Sequence, residues 1–209
     1  MQSLIYIFLS NNSWPIFACA AICLTSGYLI TGGLHIDGLM DTFDGLYAGR
    51  KKMLKAMKDS RVGSFGVQSI IFITLLQLAS LIKIDNQILY ALPICLFWGR
   101  FSTLIHIDKF RYLSHKKKSI SHKKNWRGLK REATASTGIL LIIILCLLFN
   151  IGSKTLIVRE ITLIILGLYT SFKISTILGK RIEGFNGDSC GACVVITETV
   201  MLLIHAILL

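Results

Sequence analysis

The sequence predicts an all-α, polytopic membrane protein, a transmembrane bundle of about six helices whose cytosolic loops carry the polar site. Of the 209 residues, 53% are hydrophobic and two are proline, and the mean hydropathy is +0.64. This is more apolar side chain than a soluble core of this size requires. Residues 1–209 are expected to form a single integral membrane domain, because neither a repeat nor a low-complexity linker divides them.

The predicted helices are apolar runs long enough to cross a bilayer. The opening segment 1–13 is apolar but too short to span, and it lacks the basic start and cleavage site of a signal peptide. We interpret it as the remnant of an incomplete first helix. The six predicted helices cover 14–33, 66–82, 88–107, 133–151, 156–178 and 191–209.

The placement of charges orients these helices. The loops 34–65, 108–132 and 179–190 share one side, because the connections at 83–87 and 152–155 alternate with them. The three longer loops hold 18 of the 23 Lys and Arg residues, and the positive-inside rule therefore places them in the cytoplasm. They also hold eight of the eleven acidic residues, which disfavours a transporter with polar groups spread through the midplane.

The loop from Lys109 to Arg131 is strongly basic, with ten Lys and Arg residues. This composition is typical of a topology signal that contacts anionic lipid. Attraction of a polyanionic substrate is a second interpretation. Nucleic acid is not expected as a partner, because the loop is short and tethered between two helices.

Three aspartates, Asp37, Asp41 and Asp44, directly follow the first predicted membrane helix. On a helix, their spacing of i, i+4 and i+7 places them in one stripe about 10 Å long. Like charges at this spacing repel, and a hard cation such as Mg²⁺ relieves the repulsion while leaving positions for substrate phosphates. The stripe therefore predicts a magnesium site, with a solvated acidic helix face as the alternative.

Lys58, Asp59, Ser60 and Arg61 end the first cytosolic loop. Asp59 or Ser60 is suited to cap the second helix, whose positive end and free N–H groups would bind phosphate. Lys58 and Arg61 would add positive charge to this site. Snorkelling of the two cations at the membrane interface is the alternative interpretation.

The last helix is preceded by a similar turn, which contains Asn186 and Gly187. Asp188 or Ser189 is predicted to cap the helix. A second anion site would lie at that helix end.

Arg100 and Glu198 lie inside predicted helices, each about 10 Å below the interface by the helical rise. Ionisable residues at this depth normally face the bundle interior. We therefore predict that they are close together, either lining a polar cavity or forming a purely structural pair.

Residues 32–45 are Gly-Gly-Leu-His-Ile-Asp-Gly-Leu-Met-Asp-Thr-Phe-Asp-Gly, and residues 57–66 are Met-Lys-Asp-Ser-Arg-Val-Gly-Ser-Phe-Gly. These two segments closely resemble the signature segments of the cobalamin synthase family, the adenosylcobinamide-GDP ribazoletransferases. The region from Asn186 to Glu198 is similar to the family's C-terminal motif. The chain departs from that motif where the family usually has Gly-Gly-Gln-Thr-Gly-Asp and residues 183–188 are Glu-Gly-Phe-Asn-Gly-Asp. Family members also usually carry a longer N-terminal region with a complete first helix.

The resemblance implies a multi-pass, Mg²⁺-dependent enzyme of the inner membrane, with its active site facing the cytoplasm. The implied reaction transfers the adenosylcobinamide-phosphate moiety of adenosylcobinamide-GDP to α-ribazole, or to α-ribazole 5′-phosphate, and releases GMP. This step completes the lower loop of vitamin B12. Its partners would be the two small-molecule substrates and the lipid bilayer, with other enzymes of the corrinoid pathway as further candidates.

The resemblance also implies roles for individual residues. Asp37, Asp41 and Asp44 would hold the metal, and one of them would accept the hydroxyl proton. Lys58 and Arg61 would bind the diphosphate and complete the catalytic set. The candidate substrate-binding residues are His35, Asp59, Ser60, Arg100, Asn186, Gly187, Asp188 and Glu198.

Two other functions remain open from the sequence. A transferase of the CDP-alcohol phosphatidyltransferase type also uses clustered aspartates, but Asp41 and Thr42 stand where its pattern has Ala and Arg. The other is an inactive, truncated membrane protein that acts only as a scaffold.

Overall fold

The computed structural model describes residues 1–113, 126–134, 136–138 and 154–209. The regular secondary structure within these residues is helical, as predicted, and an isolated β-bridge joins Tyr112 to Phe185. The main helices are α1 (Gln2–Asn11), α2 (Ile16–Ile30), α3 (Leu34–Tyr47), α4 (Met53–Ala56), α5 (Ser64–Ile84), α6 (Ile88–Lys109), α7 (Lys154–Ile182) and α8 (Gly187–Ile207).

Three stretches of the described chain are long and apolar enough to cross a membrane, namely Ser64–Lys109, Ile161–Ile182 and Gly187–Ile207. Helices α2 and α3 are long and apolar enough to cross a membrane only when they are taken together, and the chain bends by 86° where they meet. The described chain therefore contains three such stretches, or four with the bent pair. The predicted count of six is not confirmed, and most of the predicted helix 133–151 lies outside the described residues.

The 46-residue stretch Ser64–Lys109 contains both α5 and α6, joined by a 3₁₀ turn at Asp85–Gln87. Gln77 of α5 donates to Thr199 of α8, and Arg100 of α6 pairs with the adjacent Glu198. Since both helices reach the same level of α8, the chain reverses at the turn. The short connection predicted at 83–87 is confirmed.

The predicted helix 14–33 is wrong at its C-terminal end, because α2 stops at Ile30. Gly32 and Gly33 follow with positive φ angles of 61° and 72°, a conformation that favours glycine. The chain can therefore turn sharply into α3. At 15 residues, α2 is about 22 Å long, which is too short to span by itself.

The opening segment forms α1, a ten-residue helix that packs against α2. Tyr6 and Leu9 of α1 are buried. The amide of Gln2 donates to the carbonyl of Cys23 over 3.3 Å. Tyr6 also donates to Asp85 over 2.7 Å, which ties α1 to the turn between α5 and α6.

Helix α8 lies at the centre of the described bundle and packs against α3, α5, α6 and α7. Glycines allow α3 to approach it closely. A Cβ atom on Gly38 would lie 2.6 Å from the carbonyl oxygen of Asp188, and one on Gly191 would lie 3.1 Å from that of His35. These contacts hold the aspartate helix against the first turns of α8.

The described parts of the three loops predicted to share one side lie together. Phe185 donates its N–H to Arg111 over 2.8 Å, and its carbonyl accepts from Leu113 over 2.8 Å. Asn186 contacts the sulfur of Met57, which joins the first loop to this group. The third loop is shorter than predicted, because α7 continues to Ile182. That this side is the cytoplasm stays a prediction.

Candidate active site

The three predicted aspartates lie on α3, as the stripe requires. Asp37 is exposed, whereas Asp41 and Asp44 are half-buried. Partial burial, followed by the negative charges of Asp37, Asp188 and Asp44, raises the pKa of Asp41 to about 6. The first turn of α8 thus adds a fourth carboxylate, that of Asp188, to the stripe. We call these four side chains the carboxylate cluster.

Asp44 differs from the other members of the cluster. Its Oδ2 accepts from the N–H of Gly63 over 2.7 Å, and its Oδ1 accepts from the N–H of Gly66 over 2.8 Å. A Cβ atom on either glycine would collide with the carboxylate. Asp44 therefore caps the start of α5 from 19 residues away.

This capping corrects the prediction for Asp59 and Ser60. Neither residue caps the second membrane helix, which begins at Ser64 behind Gly63. Because Asp44 already accepts two hydrogen bonds at this helix end, the end does not present those N–H groups to a phosphate.

Asp59 instead binds Arg61. The arginine Nε and Nη2 donate to the two carboxylate oxygens over 3.0 Å and 2.7 Å. These hydrogen bonds lower the pKa of Asp59 to about 2. The Arg61 side chain is 86% exposed, so the pair lies at the surface. Ser60 is also exposed.

Lys58 is the predicted cation that faces the carboxylate cluster. Its side chain lies close enough for its charge to act on Asp188, and the residue is exposed. Arg61 has a different position, on a surface pocket of about 450 Å³ that Asp44, Tyr47 and Phe65 also line. The two predicted phosphate-binding cations therefore have different surroundings.

The start of α8 is capped by Asn186 rather than by Asp188 or by Ser189 alone. Asn186 Oδ1 accepts from the N–H of Ser189 over 2.9 Å, and Ser189 Oγ accepts from the N–H of Asn186 over 2.9 Å. This reciprocal arrangement is a capping box. Asn186 Nδ2 also donates to Asp188 Oδ2 over 2.9 Å, which orients that carboxylate. Gly187 is exposed beside it.

Arg100 and Glu198 form an ion pair inside the bundle, which confirms their predicted proximity. With His35, Tyr28 and Gln77, they line a cavity of about 40 Å³. This is room for a few water molecules, not for a nucleotide or a nucleoside. His35 lies on the side of α3 that faces this cavity. None of the four carboxylates of the cluster lines this cavity.

The donor atoms of the carboxylate cluster suit a hard cation such as Mg²⁺. Among the residues that the structure describes, however, no three His, Cys, Asp or Glu side chains are arranged closely enough to hold a metal ion. Mg²⁺ is often bound by only one or two carboxylates, with substrate phosphates as further ligands. The magnesium site therefore stays a prediction.

A buried histidine behind the cluster was missed by the sequence analysis. His106 is fully buried, with Nδ1 3.1 Å from the carbonyl oxygen of Ser175 and Nε2 3.1 Å from Ser189 Oγ. An ionisable residue within the apolar run 88–107 was the available signal. Its partners on α7 and α8 are distant in the sequence, so no local pattern reveals them.

The fold and the site together define a helical membrane protein with a carboxylate cluster and an adjacent lysine at one end of its bundle. The family model for cobalamin-5-phosphate synthase matches residues 1–206. The chain therefore belongs to the cobalamin-5-phosphate synthase family.

Individual relatives agree with this assignment. An adenosylcobinamide-GDP ribazoletransferase of Prochlorococcus marinus strain SARG is 40% identical over 211 residues, which cover 100% of this chain and 81% of the relative. The protein of the same name from strain MIT 9303 is 39% identical, with the same coverage. That of Trichormus variabilis is 33% identical over 93% of this chain and 76% of the relative. No solved structure matches the chain.

Proposed function

We propose that this protein transfers the adenosylcobinamide-phosphate moiety of adenosylcobinamide-GDP to α-ribazole or α-ribazole 5′-phosphate. A ribose hydroxyl attacks the phosphorus that bears the cobinamide, a new P–O bond forms, and the diphosphate bond breaks to release GMP. The observation that carries the proposal is the carboxylate cluster with Lys58 beside it. The family match across residues 1–206 favours this reaction over the CDP-alcohol transferase and the inactive scaffold.

In this proposal, Asp37 and Asp41 would hold Mg²⁺. When bound, the ion neutralises the negative charge that develops on the phosphoryl oxygens. Burial, followed by the charges of the neighbouring carboxylates, raises the pKa of Asp41, and a bound cation would remove this penalty, which supports the assignment. We assign Asp44 to capping α5, since both its oxygens accept hydrogen bonds from that helix.

Asp188 accepts the proton of the attacking hydroxyl in this scheme. Its carboxylate is oriented by the hydrogen bond from Asn186 and lies near enough to Asp41 for the two charges to interact. A positioned carboxylate within reach of the hydroxyl is suited to act as a general base. The exposed Lys58 then binds the diphosphate beside it, where its charge also favours departure of GMP.

Arg61 binds the GMP portion of the substrate at the rim. Its side chain is exposed on the 450 Å³ pocket and is held there by Asp59. A guanidinium offers two parallel donors to phosphate. Because binding would compete with the bond to Asp59, we expect a modest contribution from this residue.

We further propose that the protein lies in the inner membrane with this site facing the cytoplasm. The segments 34–65, 108–132 and 179–190, which the sequence predicts to face the cytoplasm, contain 18 of the 23 Lys and Arg residues, and this supports the orientation.

The test is turnover by the purified full chain in detergent or liposomes. Adenosylcobinamide-GDP, Mg²⁺ and either form of α-ribazole should give GMP and a corrinoid product in equal amounts. A parallel reaction with CDP-diacylglycerol and an alcohol acceptor tests the alternative chemistry. GMP release that requires no ribazole would indicate hydrolysis, and CMP release alone would replace the proposal with the CDP-alcohol reaction. Absence of both products from folded protein would support the scaffold.

A further inference from the structure

We propose that His106 is a positioning residue for this transfer, because it fixes the Asp188 carboxylate through Ser189 and Asn186. The inference rests on the proposed function. It concerns a side chain that does not touch the substrate and that acts through a chain of hydrogen bonds. Each link of that chain is present in the structure.

The first link determines the protonation of the imidazole. Nδ1 of His106 lies 3.1 Å from the carbonyl oxygen of Ser175, which can only accept, so Nδ1 carries a proton. The ring is fully buried, and a buried imidazolium without a carboxylate partner is unfavourable. In the neutral ring, Nε2 is therefore an acceptor, and the hydroxyl of Ser189 at 3.1 Å can donate to it.

The second link is the capping box of α8. When its proton points to His106, Ser189 Oγ presents its lone pairs to the N–H of Asn186 at 2.9 Å. The side chain of Asn186 is held by the N–H of Ser189 and donates in turn to Asp188 Oδ2. The hydroxyl of Ser189 has a second acceptor in the carbonyl oxygen of Asn186 at 3.1 Å, and the other three bonds have N–H donors in either case. When the hydroxyl donates to His106, the hydrogen bonds from the imidazole to the carboxylate are all compatible.

The third observation is that the imidazole itself cannot easily move. Its ring packs against the rings of Phe110 and Phe185, with centroid separations of 5.5 Å and 6.1 Å. Its acceptor on α7 is fixed as well, because the hydroxyl of Ser175 donates to Ser102 of α6 over 2.6 Å. His106 therefore joins α6, α7 and α8 directly behind Asp188. Removing the hydrogen-bond partners of metal ligands commonly lowers activity about 10-fold or more, and we expect a loss of the same order for a partner that fixes a catalytic carboxylate.

Two near-isosteric variants separate the two hydrogen bonds of the ring. An asparagine amide falls close to the position of Nδ1, so His106→Asn retains the bond to Ser175 and loses the bond to Ser189. A glutamine amide falls close to Nε2, so His106→Gln retains the bond to Ser189. We expect kcat per folded molecule to fall about 10-fold in His106→Asn and to stay within about threefold in His106→Gln, with KM little changed in both.

Ser189→Ala provides the matching change at the other end of the bond. It should lower kcat at least as much as His106→Asn does, because it also removes the acceptor of the Asn186 N–H, and the double variant should be no worse than Ser189→Ala alone. A merely structural histidine would instead lower the folded yield of both His106 variants and leave kcat per folded molecule unchanged. That result, or equal kcat for the Asn and Gln variants, would overturn the proposal.

Hydrogen exchange gives a readout that does not depend on turnover. In the full chain, amides of residues 186–190 should exchange faster in His106→Asn than in wild type, and at nearly the wild-type rate in His106→Gln. If wild type releases no GMP, the proposed function fails while this exchange pattern can still be seen. Equal exchange in all three proteins would overturn the positioning chain itself.

Discussion

The two polar regions of this molecule differ in how their charges are balanced. Inside the bundle, Arg100 and Glu198 neutralise each other beside a cavity that admits only water. At the end of the bundle, three further carboxylates crowd around Asp41, and the charge of Lys58 acts on one of them, Asp188. In a balanced pair neither charge is left without a partner, whereas unbalanced charge weakens the fold and is typical of a site that binds a charged ligand.

The largest effect is expected from Asp41→Asn, which should lower GMP formation at least ~100-fold. The amide retains the shape of the side chain and removes one anionic ligand of the proposed magnesium site. Initial rates should be measured over a series of Mg²⁺ concentrations with folded protein. Asp37→Asn should behave in the same way.

Asp85→Asn is the matched control for these variants. Asp85 lies in the turn between α5 and α6, where its Oδ1 accepts from Tyr6, and an asparagine oxygen can accept the same bond. Its turnover should remain close to wild type. Near-normal turnover of Asp41→Asn at limiting Mg²⁺ would contradict the assignment of Asp41 to the cation.

Mutation of the internal pair should lower stability, whereas mutation of the carboxylate cluster should lower turnover. Arg100→Met and Glu198→Met should each cost ~2–3 kcal/mol of stability, because the remaining charge loses its partner inside the bundle. The Arg100 side chain is 46% exposed, so the loss should stay below that for a fully buried pair. The double Met variant should recover much of the loss, since it leaves no charge unpaired.

Thermal unfolding and the yield of monodisperse protein in detergent measure these effects. Losses that simply add in the double variant would contradict coupling between the two residues. If the double variant folds and releases GMP at the wild-type rate, the pair is structural. If it folds without turnover, the internal cavity belongs to the substrate path.

The sequence predicted those features that depend on periodicity or depth. The stripe of Asp37, Asp41 and Asp44 followed from helical spacing, and the pairing of Arg100 with Glu198 followed from their equal depth. The two signature segments identified the family that the comparisons show.

The remaining features depend on contacts between distant parts of the chain. Asp44 caps α5 across 19 residues, so the local candidates Asp59 and Ser60 were wrong. Asp188 joins the cluster because Gly38 lets α3 approach α8, which no local pattern encodes. The bend after α2 had a local signal in Gly32 and Gly33, but the apolar run was extended through it.

A smaller effect is expected at Arg61, which tests whether the exposed rim takes part in the site. Arg61→Ala should raise KM for adenosylcobinamide-GDP about fivefold with little change in kcat, and Arg61→Lys should raise it less. The effect is limited because the side chain is 86% exposed and already bound to Asp59. Identical kinetics for wild type and the alanine variant would make Arg61 an interfacial anchor.

The smallest effect concerns the stability cost of the crowded carboxylates, measured without substrate. The folded-state pKa of Asp41 is about 6, above its ordinary 3.8, so the folded protein binds this proton more tightly than the unfolded chain does. The group's contribution to stability is therefore complete below pH 3.8 and is lost as the pH rises through about 6.

Asp41→Asn does not titrate and should be more stable than wild type at pH 8, by ~1 kcal/mol after allowance for solvent screening. The difference should shrink towards pH 4.5 in thermal unfolding at low salt with a chelator, and added Mg²⁺ should reduce it at pH 8. A difference that does not vary with pH, or a wild type more stable at pH 8 in the chelator, would show that the cluster carries no excess charge in the folded protein.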